Sequence, residues 1–95
     1  MITLNILLTV KNESDIHRVR DLLIQQATLS RQEPGCLRFE VYQSQNSRAL
    51  FFLNEHWDTP ASIDVHRKAT AYTTIYAPQV LPLVDRVPHP SDLVI

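Results

Sequence analysis

The sequence predicts an α+β domain of ferredoxin-like type, β-α-β-β-α-β, built on one antiparallel sheet. Three observations carry this reading. A strictly alternating apolar segment precedes a segment of helical periodicity, a polar turn joins two strand-like runs in the middle of the chain, and the second of those runs is apolar on both parities at its start. With 95 residues, 44% of them hydrophobic, the chain can form one core but not two, so 1–95 reads as a single domain.

Residues 2 to 10 open the fold as a strand, with Ile2, Leu4, Ile6, Leu8 and Val10 on one face and Thr3, Asn5, Leu7 and Thr9 on the other. Lys11 to Ser14 is a polar turn in which Asn12 or Ser14 can cap a helix, and Asp15 suits the positive end of its dipole. Ile16, Val19, Leu23 and Ala27 then recur at helical spacing. Glu33-Pro34-Gly35 ends that region and reverses the chain. Leu37, Phe39 and Val41 alternate with Arg38, Glu40 and Tyr42, and the turn Ser44 to Arg48 leads into a third strand, Ala49 to Trp57. Asp58-Thr59-Pro60 is a helix start, with the helix expected to reach about Lys68. A further helical region, Ala71 to Val84, is expected to kink or break at Pro78 and Pro82, and the tail Val87 to Ile95 to supply a short edge strand, given Pro88 and Pro90.

Helices on one face would cover Ile2, Leu4 and Ile6, leaving the face of Thr3, Asn5 and Leu7 in need of another cover, and a second copy of the chain is the simplest one. A homodimer is therefore expected. The face carrying Asn5, Glu55 and Trp57 is read as shared between dimer packing and a pocket. The formal net charge of −1 gives no basic excess for nucleic acid. No apolar run approaches a membrane span, no secretory signal is seen, and the lone Cys36 suits a reducing compartment, so a cytoplasmic location is expected. His17, His56 and His89 lack metal-ligand spacing, and Gly35, the one glycine, rules out a glycine-rich phosphate cradle. No metal and no cofactor are expected, and the partner is a small molecule.

The run from Glu33 to Tyr42, with Glu-Pro-Gly leading into Leu37-Arg38-Phe39, followed by Phe52, Glu55-His56-Trp57 and His66, resembles the antibiotic biosynthesis monooxygenase family over nearly the whole chain. The resemblance implies a dimeric α+β barrel. It also implies an activity drawn from a mixed family: cofactor-independent oxygenases of polycyclic phenols, quinol enzymes, haem-degrading enzymes and isomerases of small phosphorylated sugars. Many relatives carry a second histidine five residues after the first, where this chain has Ala71.

A cofactor-independent monooxygenase needs a base and a pocket, because the deprotonated substrate itself reduces dioxygen. His66 is the candidate base, with local packing as the competing reading. Trp57 could wall a flat substrate or belong to the dimer core, and Asn5 could hold an oxyanion or bridge the dimer. Tyr72 and Tyr76, four apart, could close the pocket or simply pack. Glu55 on an apolar face must be paired or functional, and Arg38 is its candidate ion-pair partner. Leu7 and Phe51 are assigned as apolar contacts for substrate. Two other functions remain open: an isomerase of a small carbonyl metabolite, whose phosphate would need Arg38, Arg67 or Lys68 at the cavity, and a non-catalytic dimeric binding module. Cys36, with no basic cluster beside it, is read as structural.

Overall fold

The computed structural model describes residues 1–95. Strand β1 (Ile2–Val10) is followed by helix α1 (Ile16–Ser30), strands β2 (Cys36–Gln43) and β3 (Leu50–Trp57), helix α2 (Pro60–His66), a π-helix (Ala71–Val80), a short 3₁₀ turn (Leu81–Leu83) and strand β4 (Val84–Ser91). The four strands form one antiparallel sheet in the order β2-β3-β1-β4, the ferredoxin-like arrangement the sequence predicts. Within the single chain the sheet stays open, with β2 and β4 as its edges. No helix is long and apolar enough to cross a membrane.

Alternation decides the layers. Ile6, Leu8 and Val10 of β1, Phe39 of β2 and Phe51, Leu53 and Trp57 of β3 all point to one face and are buried there. Val19, Leu22, Leu23 and Ala27 of α1, Ile63 of α2 and Ile75, Tyr76 and Val80 of the π-helix close over them in one core. Burial of each such Leu, Val or Phe contributes about 1.5–3 kcal/mol before the cost of ordering the chain. The opposite face carries Thr3, Asn5 and Leu7, paired across to His56, Asn54 and Phe52, and on β2 Arg38, Glu40 and Tyr42. Helices do not cover it, and Tyr42 and Val87 are about half exposed.

The two caps form as the sequence suggests. Asn12 Oδ1 accepts from Ser14 N–H at 3.0 Å ahead of α1, and Thr59 Oγ1 accepts from Ser62 N–H with Pro60 in the first turn of α2. Three boundaries differ from expectation. Helix α2 stops at His66 rather than Lys68, its end tightening through an N–H of Lys68 that bonds to the Val65 carbonyl. Pro78 does not break the following helix. A proline ring crowds the carbonyl four residues back, and the wide π-turn relieves that crowding at Thr74, whose carbonyl instead accepts from the Gln79 side chain at 2.9 Å. The last strand starts at Val84, ahead of the expected Val87, because the turn at Pro82 ends the helical region early and Val84 pairs with Val10 and is buried. Pro88 and Pro90 share one parity on this edge strand, which lets both missing N–H groups lie on its outer side. Asp92–Ile95 lies beyond it.

Gly35 has φ +80, a left-handed conformation that side chains resist. Its Cα also sits against α2, so that an added Cβ would collide with Ser62 and Asp58, while its carbonyl accepts from Asp58 N–H at 3.0 Å. The turn is thus seated on the end of β3 and the first turn of α2. Gly35→Ala should lose about 1–3 kcal/mol of stability from the backbone conformation alone, read as a lower urea midpoint with unchanged slope.

Candidate active site

The seating of that turn brings two distant residues together. Glu33, two positions before Gly35, lies 2.6 Å from Nδ1 of His66, the last residue of α2. Both side chains are withdrawn from solvent, His66 at 6% and Glu33 at 12% exposure. A carboxylate bonded to Nδ1 fixes the ring and leaves Nε2, which has no partner within the chain, to accept or deliver a proton. Around the imidazole stand three aromatic rings, with centroids at 4.5 Å for Trp57, 5.5 Å for Tyr72 in an edge-on contact and 6.1 Å for Phe39.

Beside the ring is a small, partly open cavity of about 20 Å³, room for one water-sized group. Leu4, Ile6, Ile63 and Tyr72 form its less polar walls, and Gln26, Glu55, His66, Arg67, Tyr76 and Arg86 bring polar atoms to it. Larger surface hollows of about 320 Å³ beside Arg31 and Cys36 and about 340 Å³ beside His17 and Arg48 are open grooves that do not reach His66.

Glu55 is buried in β3 and accepts from the Trp57 indole N–H at 3.0 Å. Burial raises its pKa, outweighing the opposing influence of that hydrogen bond and of His66, Arg86 and Arg67. Tyr76 is pushed up to about 12, chiefly by burial and against the pull of Arg86, so it remains a phenol; Arg86 Nε donates to its hydroxyl at 3.0 Å. The Cys36 thiol is pushed up to about 11 by burial and by the charges of Glu33 and Glu55, which leaves it protonated and unreactive. No group of three or more His, Cys, Asp or Glu side chains is placed to share a metal ion.

Five residues singled out in the sequence, His66, Trp57, Tyr72, Glu55 and Tyr76, meet on the helical side of the sheet. The expectation that Asn5 shares a face with Glu55 and Trp57 is corrected. Asn5 stands directly opposite Asn54, and directly paired residues share a face, so the neighbour Glu55 must point to the other one. Asn5 instead accepts from Asn54 Nδ2 at 2.8 Å on the uncovered face. Leu7, paired with Phe52, lies there too. Arg38 is on that same face, with Glu40 at 3.7 Å, and so cannot partner Glu55 through the sheet. Phe51 does face the helices but pairs with Leu8 and Gln43, toward the far end of β3 from Glu55. Of the three basic residues named for a phosphate, Arg67 reaches the cavity, whereas Arg38 and Lys68 do not line it.

Sequence reasoning missed Glu33, Gln26 and Arg86. In the sequence Glu33 reads as the start of the Glu-Pro-Gly turn and of the run that carries the family resemblance, with no sign of its contact with His66. Gln26 carried a usable signal, because it stands four after Leu22 and seven after Val19 on the buried stripe of α1. Arg86 fell ahead of the expected start of the last strand.

Compared with known families, the chain matches the profile described as antibiotic biosynthesis monooxygenase over residues 1–77. The chain belongs to the antibiotic biosynthesis monooxygenase family. No curated protein matches it. Solved structures share the fold at low identity. One described as an antibiotic biosynthesis monooxygenase superimposes with TM-score 0.90 at 23% identity, covering 100% of both chains. A provisionally named family member from Nitrosomonas europaea gives 0.89 at 20%, again over 100% of both chains. A Bacteroides thetaiotaomicron protein of unknown function, suggested to be an oxidoreductase, gives 0.88 at 21% over 97% of this chain and 96% of that one. Family membership supports a monooxygenase-type function at that coarse level.

The buried carboxyl of Glu55 gives a signed prediction. A raised folded-state pKa means that its contribution to stability is complete below the ordinary value of 4.5 and is lost as pH rises through the folded value. Glu55→Gln retains an acceptor for Trp57 and removes the titration, so the difference in melting temperature between variant and wild type should move in favour of the variant as pH rises from 4.5, read by thermal melts across pH.

Proposed function

We propose that the protein is a cofactor-independent monooxygenase that oxidises a small aromatic phenol or quinol, with His66 as the base. The observation that carries this reading is the buried Glu33–His66 contact at the edge of a cavity flanked by aromatic rings. Hydrogen bonding to Glu33 places the proton on Nδ1 and the lone pair on Nε2, the tautomer a base requires. Nε2 takes the acidic proton of the substrate, and the resulting anion is electron-rich enough to reduce dioxygen. One oxygen atom bonds to substrate carbon, and the other leaves as water with the two hydrogens the substrate gives up, so that AH₂ + O₂ yields AO + H₂O. Glu55, whose carboxyl burial shifts toward the protonated form, is the donor assigned in this reading to the oxyanion that forms. Trp57 packs on the His66 ring and holds it in place, and Tyr72, which lines the cavity, offers a face to the substrate ring.

In this reading the working form is a homodimer. Leu7, Leu50, Phe52 and Val87 make the uncovered sheet face apolar at its centre, and a second sheet packed there would bury them. His66 and its neighbours lie on the other side, so each chain carries a whole site.

Oxygen uptake with a panel of quinols and anthrone-like phenols tests the reaction. His66→Ala should reduce it about 10²- to 10⁴-fold. Glu33→Gln, which loses only the orienting charge, should lower kcat about 10-fold or more with little change in KM. Uptake that is absent from the wild type, or unchanged in His66→Ala, sinks the proposal. For the assembly, light scattering should give twice the chain mass, and Phe52→Asp should give the monomer with its circular dichroism retained.

A further inference from the structure

The cavity combines two features that its own chain does not satisfy. Deep inside, Gln26 is 1% exposed, and its Oε1 has no hydrogen-bond partner. A buried amide oxygen left unpaired costs about 1–3 kcal/mol, and the cavity it lines accommodates one water-sized group. At the rim stand Arg67, just past the end of α2, and Arg86 on β4, both exposed. No carboxylate lies within ion-pair distance of either. The Nε of Arg86 is engaged by Tyr76, while its terminal nitrogens and the whole Arg67 guanidinium make no hydrogen bond within the chain. Glu55 lines the same cavity but lies beyond ion-pair distance of both. Two guanidinium groups without an ion-pair partner therefore border a cavity that is also lined by a glutamine with an unpaired acceptor.

We propose that the substrate is a hydroxyaryl carboxylate, bound with its hydroxyl beside Gln26 and His66 and its carboxylate at the rim between Arg67 and Arg86. Three complementarities support this. A hydroxyl is the size of group the cavity admits, and in the bound, still protonated substrate it donates to Gln26 Oε1. Guanidinium groups match carboxylates in charge and in planar geometry. The ring between the two ends meets Leu4, Ile63 and Tyr72 once the Arg86 side chain, held at the mouth by a single hydrogen bond, swings outward. This inference refines the oxygenase reading by adding a negative charge to the substrate, and Gln26 becomes a group that selects substrate without taking part in proton transfer. A site that offers a buried hydrogen bond to a hydroxyl discriminates strongly against analogues lacking it.

Calorimetric titration under nitrogen, where no oxidation can occur, separates binding from the reaction. The probes are 1-hydroxy-2-naphthoate, 1-naphthol, 2-naphthoate and 1-naphthyl phosphate. Wild type should bind hydroxynaphthoate about 10- to 100-fold more tightly than naphthol, and Arg67→Gln and Arg86→Gln should each erase most of that preference. Gln26→Leu, a replacement of similar shape without the orphan oxygen, should bind hydroxynaphthoate and naphthoate equally, yet melt at the same or a higher temperature than wild type. That pairing of lost selectivity with retained stability is not what a structural role for Gln26 produces. Equal binding of naphthol and hydroxynaphthoate, tighter binding of the phosphate, or no binding of any probe overturns the inference. Binding as expected with no oxygen uptake leaves it standing and removes the oxygenase reading instead.

Discussion

The arrangement depends on one close approach, that of the Gly35 backbone to the start of α2. There is no room for a Cβ between the turn and the side chains of Ser62 and Asp58. The chain can come this near only because the residue is glycine, and the same residue accepts the positive φ that the reversal needs. Seated there, the turn holds Glu33 against a histidine 33 positions away in the sequence. A carboxylate withdrawn from solvent needs a hydrogen-bond partner, and the imidazole supplies one. Because Glu33 is bonded to Nδ1, Nε2 is the imidazole nitrogen that remains available.

Polar groups are concentrated on one side of an otherwise apolar core. His66, Glu55 and Gln26 are all nearly inaccessible, and all border the same small cavity. Some of their demands are met internally, as when the Trp57 indole serves Glu55, and some are not, as with Gln26. A sequence selected for stability alone would place aliphatic residues at such positions. Departures from the rule of apolar interiors that cluster in one place are the mark of a site whose ligand completes the hydrogen bonding. Ser30, also buried with an unpaired hydroxyl, does not line the cavity, and the packing around it offers no comparable explanation.

Much of the fold was legible because it rests on periodicities. Ile6, Leu8 and Val10 alternate, Val19, Leu23 and Ala27 recur at helical spacing, and Asn12 and Thr59 sit where helices need caps. Alternation was also enough to group Glu55 with Trp57. It could not say which face of the sheet that pair occupies, since β3 is apolar on both parities, and the choice is made by pairing register with β1. The expected grouping of Asn5 with Glu55 and Trp57 is the part that the register overturns. Glu33 was hidden for a different reason: its role comes from a tertiary contact between a loop and a helix end, and no local pattern encodes that. The π-helix was hidden by Pro78, whose usual effect is to end a helix and which here sits inside wider turns, with the Gln79 side chain donating to the Thr74 carbonyl beside it.

The sheet separates two kinds of surface, and the separation has evolutionary weight. Everything gathered around His66 belongs to one side, and the half-exposed residues around Phe52 belong to the other, with only the backbone ladder in common. Substitutions on the open side need not disturb the residues around His66, and substitutions around the cavity need not disturb the open side. Two traits carried on opposite sides of a single layer can diverge at independent rates, which suits a fold that keeps its shape at near 20% identity across bacteria.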